Sequence, residues 1–442
     1  MSAAHRETAE AAWRWVLAQV RHDAAGPWVP EAATDPPATE PSWDRDGMHS
    51  GIGGLAHVLA EIRLHRPWMP EEQALAKEIG LRLRKTIATQ TDCTFFDGLV
   101  SAIGVLVALD EPGAEDAVAR LADLAEADGW PSTALDGDDR YLPGARINDL
   151  TLGTAGVLAG AVWAARNGVS GAERLAATAA DVLLDEAVRV GSALDWPFVP
   201  DRFLADPPGA RMPNLSHGVA GIAAALAVAG AALDRSDLVE AARQGAEHLV
   251  SLGNTGAGGL VVPRLVPPKR GDDEVTYTWC HGPTGTSLLF PALAVAGVQD
   301  VAGEPPDAWQ RRCLHSVRTS GIPMRLRPGF WDNDGRCCGT AGVGDVFLDA
   351  YHRSGFDDDR AFALSLADTL VDRAIVDDRG ARWRFLEHRD PEPLLAPGLG
   401  WMQGASGIAA FLFHAARVAE HGREAPAVAR TDTWWAVPHE LP

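Results

Sequence analysis

The sequence predicts an all-α fold, a double-layered α/α toroid of seven outer–inner helical hairpins. Three observations carry that expectation. A Gly-x-x-Gly pattern recurs along the chain, each copy opens an apolar run, and amphipathic segments fill the intervals. Strand signals are sparse, the best being the short LVVPRLV near residue 260.

The N-terminal MSAAHRETAEAAWRWVLAQV mixes charges into an amphipathic helix and lacks the apolar core of a signal peptide. The first repeat is SGIGGLAHVLA (Gly51, Gly54). The second, FDGLVSAIGVLVAL, keeps Gly98 and carries Ser101 where its second glycine would stand. LGTAGVLAGAV (Gly153, Gly156), HGVAGIAAALA (Gly218, Gly221) and HGPTGTSLLF (Gly282, Gly285) follow, then CGTAGVGDVFL (Gly339, Gly342) and QGASGIAAFLF (Gly404, Gly407). Intervals run from the high forties to the mid sixties, longer than the common short helical repeats.

Each copy opens an apolar stretch of roughly ten to fifteen residues, the mark of a buried inner helix. EEQALAKEIGLRLRKTI, AERLAATAADVLLDEAVRV, DLVEAARQGAEHLV and DDRAFALSLADTLVDRA keep their charges to one face and read as outer helices. Extended stretches rich in Pro, Trp and Asp come next, such as SALDWPFVPDRFLADPPGARMP. Glycine at a helix start supplies φ freedom and close backbone approach. It also leaves unsatisfied N–H groups, a positive end, aimed at a central site. The plainer alternative is that the glycines only allow tight helix packing. No internal boundary is evident, so residues 1–442 are expected to form a single barrel domain, with 425–442 a C-terminal tail packed over the surface.

Composition excludes several classes. With 442 residues, 46% hydrophobic and 22% charged, the chain can bury a large core. No run of 18 apolar residues appears, so a membrane span is not expected. A net charge of −21 argues against nucleic acid, whose phosphates need clustered Lys and Arg. That charge serves solubility or draws a cationic substrate into an acidic mouth. Five scattered cysteines make no disulfide framework and fit a reducing cytoplasm.

The residues directly before the first glycines are Ser50, Asp97, Leu152, His217, His281, Cys338 and Gln403, and one place further back stand Cys280 and Cys337. In a ring these positions converge near one end of the axis. Adjacent cysteines rarely bridge each other, so Cys337 and Cys338 call for another explanation. With Cys280 they form a three-thiolate site. Zinc is the natural metal, since soft thiolates select it and three protein ligands leave an open position. The alternative is buried free cysteines, the reading given to Cys93 and Cys313. His217 is expected to be a catalytic acid/base, its imidazole titrating in the working range. Asp149 faces the same cavity or caps the inner helix. His281 is a fourth ligand, a proton donor or a group supporting a ligand.

WCHGPTG (Trp279–Gly285), CCGTAG (Cys337–Gly342) and the seven glycine turns resemble the lanthionine synthetase C-like family over essentially the whole chain. The resemblance implies a lanthipeptide cyclase with one zinc ion. Its zinc ligands fall on Cys280, Cys337 and Cys338, its active-site histidine on His217 and its aspartate on Asp149. Three departures stand out. Cys338 replaces the family's usual histidine, which leaves the metal a poorer Lewis acid and a bound thiolate more nucleophilic. Thr276 stands where the family carries an arginine, and His281 where a tyrosine often follows the first cysteine. His281 or a positive helix end is the candidate for stabilising the enolate.

The implied reaction is a Michael-type addition. A cysteine thiol of the precursor peptide attacks dehydroalanine or dehydrobutyrine in the same peptide, and His217 protonates the α-carbon. Asp149 orients or charge-stabilises His217, or helps remove the thiol proton. The product is a lanthionine or methyllanthionine thioether ring. The partner is a dehydrated precursor peptide, and with no kinase-like or dehydratase region before the barrel, dehydration falls to a separate dehydratase. Other readings are addition of glutathione or another thiol to dehydroamino acids, and a non-catalytic peptide-binding scaffold in a modification complex. A protein prenyltransferase subunit would need a basic diphosphate pocket. An α/α-barrel glycoside hydrolase would need two carboxylates, for which Asp149 and Asp97 are available.

Overall fold

Helices alternate between two concentric layers. The computed structural model describes residues 2–269, 275–324, 333–386, 392 and 394–437. In chain order α1 (Ser2–Leu17) is outer, α2 (Leu55–Arg63) inner, α3 (Pro70–Ile87) outer, α4 (Leu99–Leu109) inner and α5 (Ala114–Leu124) outer. The alternation continues with α6 (Thr154–Arg166), α7 (Ala172–Asp185), α8 (Val219–Ala232) and α9 (Ser236–Leu252). The fifth inner position is shared by α10 (Pro283–Thr286) and α11 (Leu289–Val295), and is followed by outer α12 (Pro306–Arg318). Inner α13 (Thr340–Ser354), outer α14 (Asp357–Arg373) and inner α15 (Ala405–His421) complete the series.

The inner helices close a ring. α2 packs on α4, α4 on α6, α6 on α8, α8 on α11, α10 on α13, α13 on α15, and α15 back on α2. Sequence explains the layering. Every residue of α8 from Val219 to Gly230 is buried, whereas α7 buries one face through Leu175, Ala176, Ala179, Ala180 and Leu183. The fifth inner helix breaks because Pro291 has no N–H to give the Ser287 carbonyl.

Short antiparallel hairpins follow some outer helices: β1 (Arg21–Asp23) with β2 (Gly26–Trp28), β3 (Val188–Val190) with β4 (Ala193–Asp195), and β5 (Ile375–Asp377) with β6 (Gly380–Arg382). A fourth pairs β7 (Arg384–Leu386) with β8 (Leu394–Pro397). The segment expected as one helix from residue 172 to 190 therefore ends at Asp185 and turns into β3. The connector tryptophans bind helix ends. Trp130, Trp196 and Trp383 donate Nε1–H to the carbonyls of Leu121, Leu183 and Leu370, satisfying acceptors in the last turns of α5, α7 and α14.

LVVPRLV is not a strand. It makes only isolated bridges, Val261 to Asn254 and Val266 to Arg211, because Pro263 and Pro267 remove the N–H groups a ladder needs.

Of the two reasons expected for the glycine turns, close backbone approach holds and φ freedom does not. The seven first glycines have negative φ, between −87° and −159°, which other residues also adopt. Close approach is what excludes a side chain: a Cβ on Gly218 would lie 1.5 Å from the Met212 carbonyl oxygen, and one on Gly285 1.7 Å from that of Trp279. The preceding loop folds back over the first helical turn and caps it. Thr154, Ala155 and Gly156 donate N–H to Ile147, Asn148 and Asp149, and Thr340 and Ala341 donate to Asn333 and Asp334. The N–H groups expected to face a central site are thus occupied at α6 and α13, which removes those helix ends as enolate-stabilising donors.

The same loops lock together into a collar. Cys280 N–H donates to the Cys337 carbonyl (3.3 Å), Cys337 N–H to Met402 (2.8 Å), and Met402 N–H to His49 (3.0 Å). His49 N–H donates to Phe96 (3.3 Å) and Phe95 N–H to Thr151 (2.9 Å). The Thr151 hydroxyl donates to Ser216 (3.1 Å), whose N–H returns to Cys280 (3.0 Å). One equivalent position from every repeat joins this closed circuit.

The C-terminal segment differs most from expectation. Residues 430–437 are buried rather than laid on the surface; residues 438–442 lie outside the described ones. The segment enters past the C-terminal ends of the inner helices, where Arg423 binds the carbonyls of His352 and Arg353. Trp435 donates to the Leu288 carbonyl (3.0 Å), and the Arg166 guanidinium covers the Trp434 ring at 5.0 Å. Inside the ring, Arg430 pairs with Asp349, Arg417 with Glu61 and Arg336 with Asp345, all buried. His414 binds Asp345 (3.0 Å) and His352 (3.1 Å).

Candidate metal centre and active site

The collar brings the three sulfurs together. Cys338 Sγ lies 3.3 Å from Cys337 Sγ and 3.5 Å from Cys280 Sγ, and all three fall within 4.8 Å of one another. Cys280 and Cys338 are buried and Cys337 is half-buried. Sulfhydryl donors from Cys337 and Cys338 hold the Cys280 thiol well below the usual range. Bonding to Cys280 pushes Cys337 well up, and burial does the same to Cys338. Three sulfurs this close cannot all ionise without a cation between them. Around a tetrahedral zinc with Zn–S bonds of about 2.3 Å, sulfurs sit about 3.8 Å apart. The cluster could therefore hold a metal ion, and its donors suit zinc. His281 is not among the clustered groups, so the first of its three alternatives, a fourth ligand, finds no support there.

His217 and Asp149 are directly bonded. His217 Nδ1 stands 2.5 Å from Asp149 Oδ2, with the aspartate fully buried and the histidine side chain 24% exposed. The carboxylate favours the proton on Nδ1, which leaves Nε2 with a free lone pair. Asp149 also accepts the Leu152 N–H at Oδ1 (2.6 Å). It thus ties down the turn before α6 as well as holding the imidazole; the cap of α6 itself is Gly153 without a side-chain bond, so Asp149 faces the site rather than capping the helix.

His281 reaches this pair as a ring neighbour, its centroid 5.3 Å from that of His217. Burial pushes its imidazole down to about 4, the charge on Cys280 acting in the opposite direction. The charges of His217 and of Arg264, a residue of LVVPRLV, add to the lowering. Thr276 is buried with no hydrogen-bond partner at Oγ1. Cys93 and Cys313 lie buried outside the collar, burial pushing Cys93 up to about 12.

Asp97 does not join Asp149. It shares a buried site with Asp44, and burial together with the Asp44 charge raises it to about 9. Burial raises Asp44 to about 6. With Asp149 committed to His217, the carboxylate pair that a glycosidase needs is missing among these residues.

Sequence reasoning overlooked His49, Thr151 and Phe198. His49 and Thr151 occupy the register of Cys280 and Cys337, two places before a first glycine, so the pattern could have exposed them. Burial lowers His49 to about 4, opposed by the charge of Cys280. Phe198 packs edge-on against His217 at 5.6 Å and 86°. It lies in a connector with no periodic signal.

Fold and site together define an α/α toroid with a three-cysteine centre and a His–Asp pair at the glycine-turn end of its ring. The family description "Lanthionine synthetase C-like protein" matches residues 42–420, and the chain belongs to that family. No curated protein matches it in sequence. Among solved structures it is similar to nisin cyclase, with a TM-score of 0.60 and 13% identity over 89% of this chain and 93% of that one. A cellobiose 2-epimerase from Spirochaeta thermophila DSM 6192 gives a TM-score of 0.45 at 14% identity, covering 95% of this chain and 96% of the other. At 13% identity the likeness to nisin cyclase concerns the fold. No described helix is long and apolar enough to cross a membrane.

Proposed function

We propose that this protein is a zinc-dependent peptide cyclase that joins a cysteine thiol to dehydroalanine or dehydrobutyrine in a dehydrated precursor, forming lanthionine or methyllanthionine. The observation that carries this reading is the convergence of Cys280, Cys337 and Cys338 with the bonded His217–Asp149 pair on one collar.

Zinc held by the three cysteines supplies the positive charge that brings a substrate thiol's pKa toward neutrality. The chain's own groups supply the rest. As the sulfur bonds to the β-carbon, the π pair shifts through the α-carbon onto the amide carbonyl. His217 Nε2 takes up the thiol proton and returns one to the α-carbon, so the addition is redox-neutral and the imidazole ends as it began. Asp149 holds Nδ1–H and offsets the charge of the transient imidazolium. Arg264, whose positive charge is felt at His281, is the cation available to favour the developing enolate where Thr276 supplies none. A separate dehydratase supplies the dehydroamino acids.

The test is incubation with a dehydrated precursor peptide and, separately, with that peptide plus glutathione. Ring closure leaves the mass unchanged and removes alkylatable thiols, whereas glutathione addition raises the mass. Loss of alkylatable thiol that depends on zinc and on His217 supports the cyclase, and unchanged thiols with fully zinc-loaded protein refute it.

A further inference from the structure

A cavity of about 590 Å³ opens beside the collar on the side of His217. Half-buried Phe198, Leu204, Met212 and Leu265 form the apolar part of its lining. Arg140, Arg211 and Lys269 line it together with Asp139 and Asp206, a local cationic excess in a chain of net charge −21. Its volume falls in the range of pockets that enclose a small ligand, about 300–1,000 Å³. None of its lining comes from the loop carrying Cys337 and Cys338.

Phe198 stands between the cavity and the candidate active site. Its ring lies edge-on against His217 and also lines the cavity, and its carbonyl accepts the N–H of Asn148, the neighbour of Asp149 (3.0 Å). On the proposed reaction, the β-carbon of the dehydroamino acid turns toward the sulfurs and its α-carbon toward His217. The peptide running away from that α-carbon then passes Phe198, whereas the residues around the attacking cysteine stay near the three sulfurs.

We infer that this cavity is a specificity pocket for the precursor residue flanking the dehydroamino acid, and that it takes an apolar side chain of leucine or phenylalanine size. The inference rests on the cyclase reading and adds to it which residue is selected. The cations along the lining disfavour a lysine at that position, and its apolar wall favours burial of a hydrocarbon side chain.

The test uses zinc-loaded full-length protein and two series of dehydrated model peptides. One series carries Leu, Phe, Ala or Lys on either side of the dehydroalanine; the other varies the residues beside the cysteine in the same way. The expected result is a kcat/KM about tenfold or more higher for Leu or Phe than for Lys in the first series, and differences under about twofold in the second. Ala210→Trp, at an exposed lining position, should erase the preference by filling the cavity, and Leu204→Ala should shift it toward Phe. Equal rates across the first series, or an unchanged preference in both variants, overturn the pocket while leaving cyclisation intact. Failure to form a thioether from any peptide overturns the cyclase reading and this inference with it.

Discussion

Arg336 Nη2 and Asp432 Oδ2 stand 3.9 Å apart inside the ring, tying the residue before Cys337 to the buried C-terminal segment. The stem of Arg336 passes Gly407, where a Cβ would come within 2.7 Å of its Cδ, and its guanidinium lies 4.2 Å from the Trp401 ring centroid. Removing one partner of a buried ion pair leaves an uncompensated charge, typically about 3–5 kcal/mol. Asp432→Ala should fall at the low end, near 3 kcal/mol, since Asp345 still pairs with Arg336. Urea unfolding reads that loss, and a parallel zinc assay should show weaker metal retention. An unchanged midpoint would remove the strut role of the C-terminal segment.

The His217–Asp149 bond sets a second expectation. His217→Ala should keep its zinc and lose turnover by about two to four orders of magnitude, the usual worth of a positioned acid/base. Asp149→Asn should lower kcat with little change in KM, because its effect runs through the imidazole. Single-turnover kinetics with a dehydrated peptide check both, and wild-type kcat in either variant contradicts the assignment.

Cys280→Ala should lose both metal and cyclisation, since two remaining thiols make an incomplete site. Metal analysis of the folded variant is the readout. Arg264→Ala should instead keep zinc and lower kcat, by less than the about 10²–10³-fold that a direct oxyanion donor supplies, because its charge acts at a distance.

Buried histidines make the fold acid-sensitive. Burial pushes His57 down to about 4 and His414 to about 3, from an ordinary value of 6.5. Their folded pKa values are depressed, so the unfolded chain binds more protons. Stability is therefore full above about pH 6.5 and is lost as pH falls toward 4. At about 1.4 kcal/mol per pH unit of difference, each contributes on the order of 3 kcal/mol to that loss. Thermal melts from pH 8 to 4 should show it, and His414→Gln should flatten the curve.

The Asp44–Asp97 pair acts in the opposite direction. Asp97 is raised to about 9, so the stability its proton provides is present at low pH and fades as pH rises through that value. Asp97→Asn should remove this dependence and raise melting temperature at pH 9 relative to wild type. A parallel drop at both pH 6 and pH 9 would count against the shared-proton account.

Much of the architecture was legible because it is periodic. Glycines at a fixed offset from apolar runs mark seven helix starts, and the register of Cys280, Cys337 and His217 against those glycines places them on one collar. The collar follows from register because each loop repeats one backbone path and hydrogen-bonds to the next. Aperiodic segments were opaque. Phe198 and the cavity belong to connectors whose course depends on indoles reaching distant helix ends. Residues 425–442 read as a surface tail because Arg430 and Asp432 find their partners only inside the ring.

From residue order alone came the ring, the three sulfurs and the histidine, since all depend on spacing within repeats. Folding in three dimensions decided the rest. It occupied the helix N–H groups with the chain's own carbonyls, paired Asp97 with Asp44 rather than Asp149, and drew the C-terminal segment into the core. Those outcomes turn on contacts between groups far apart in sequence, where burial forces each polar atom to find whichever partner the packing leaves within reach.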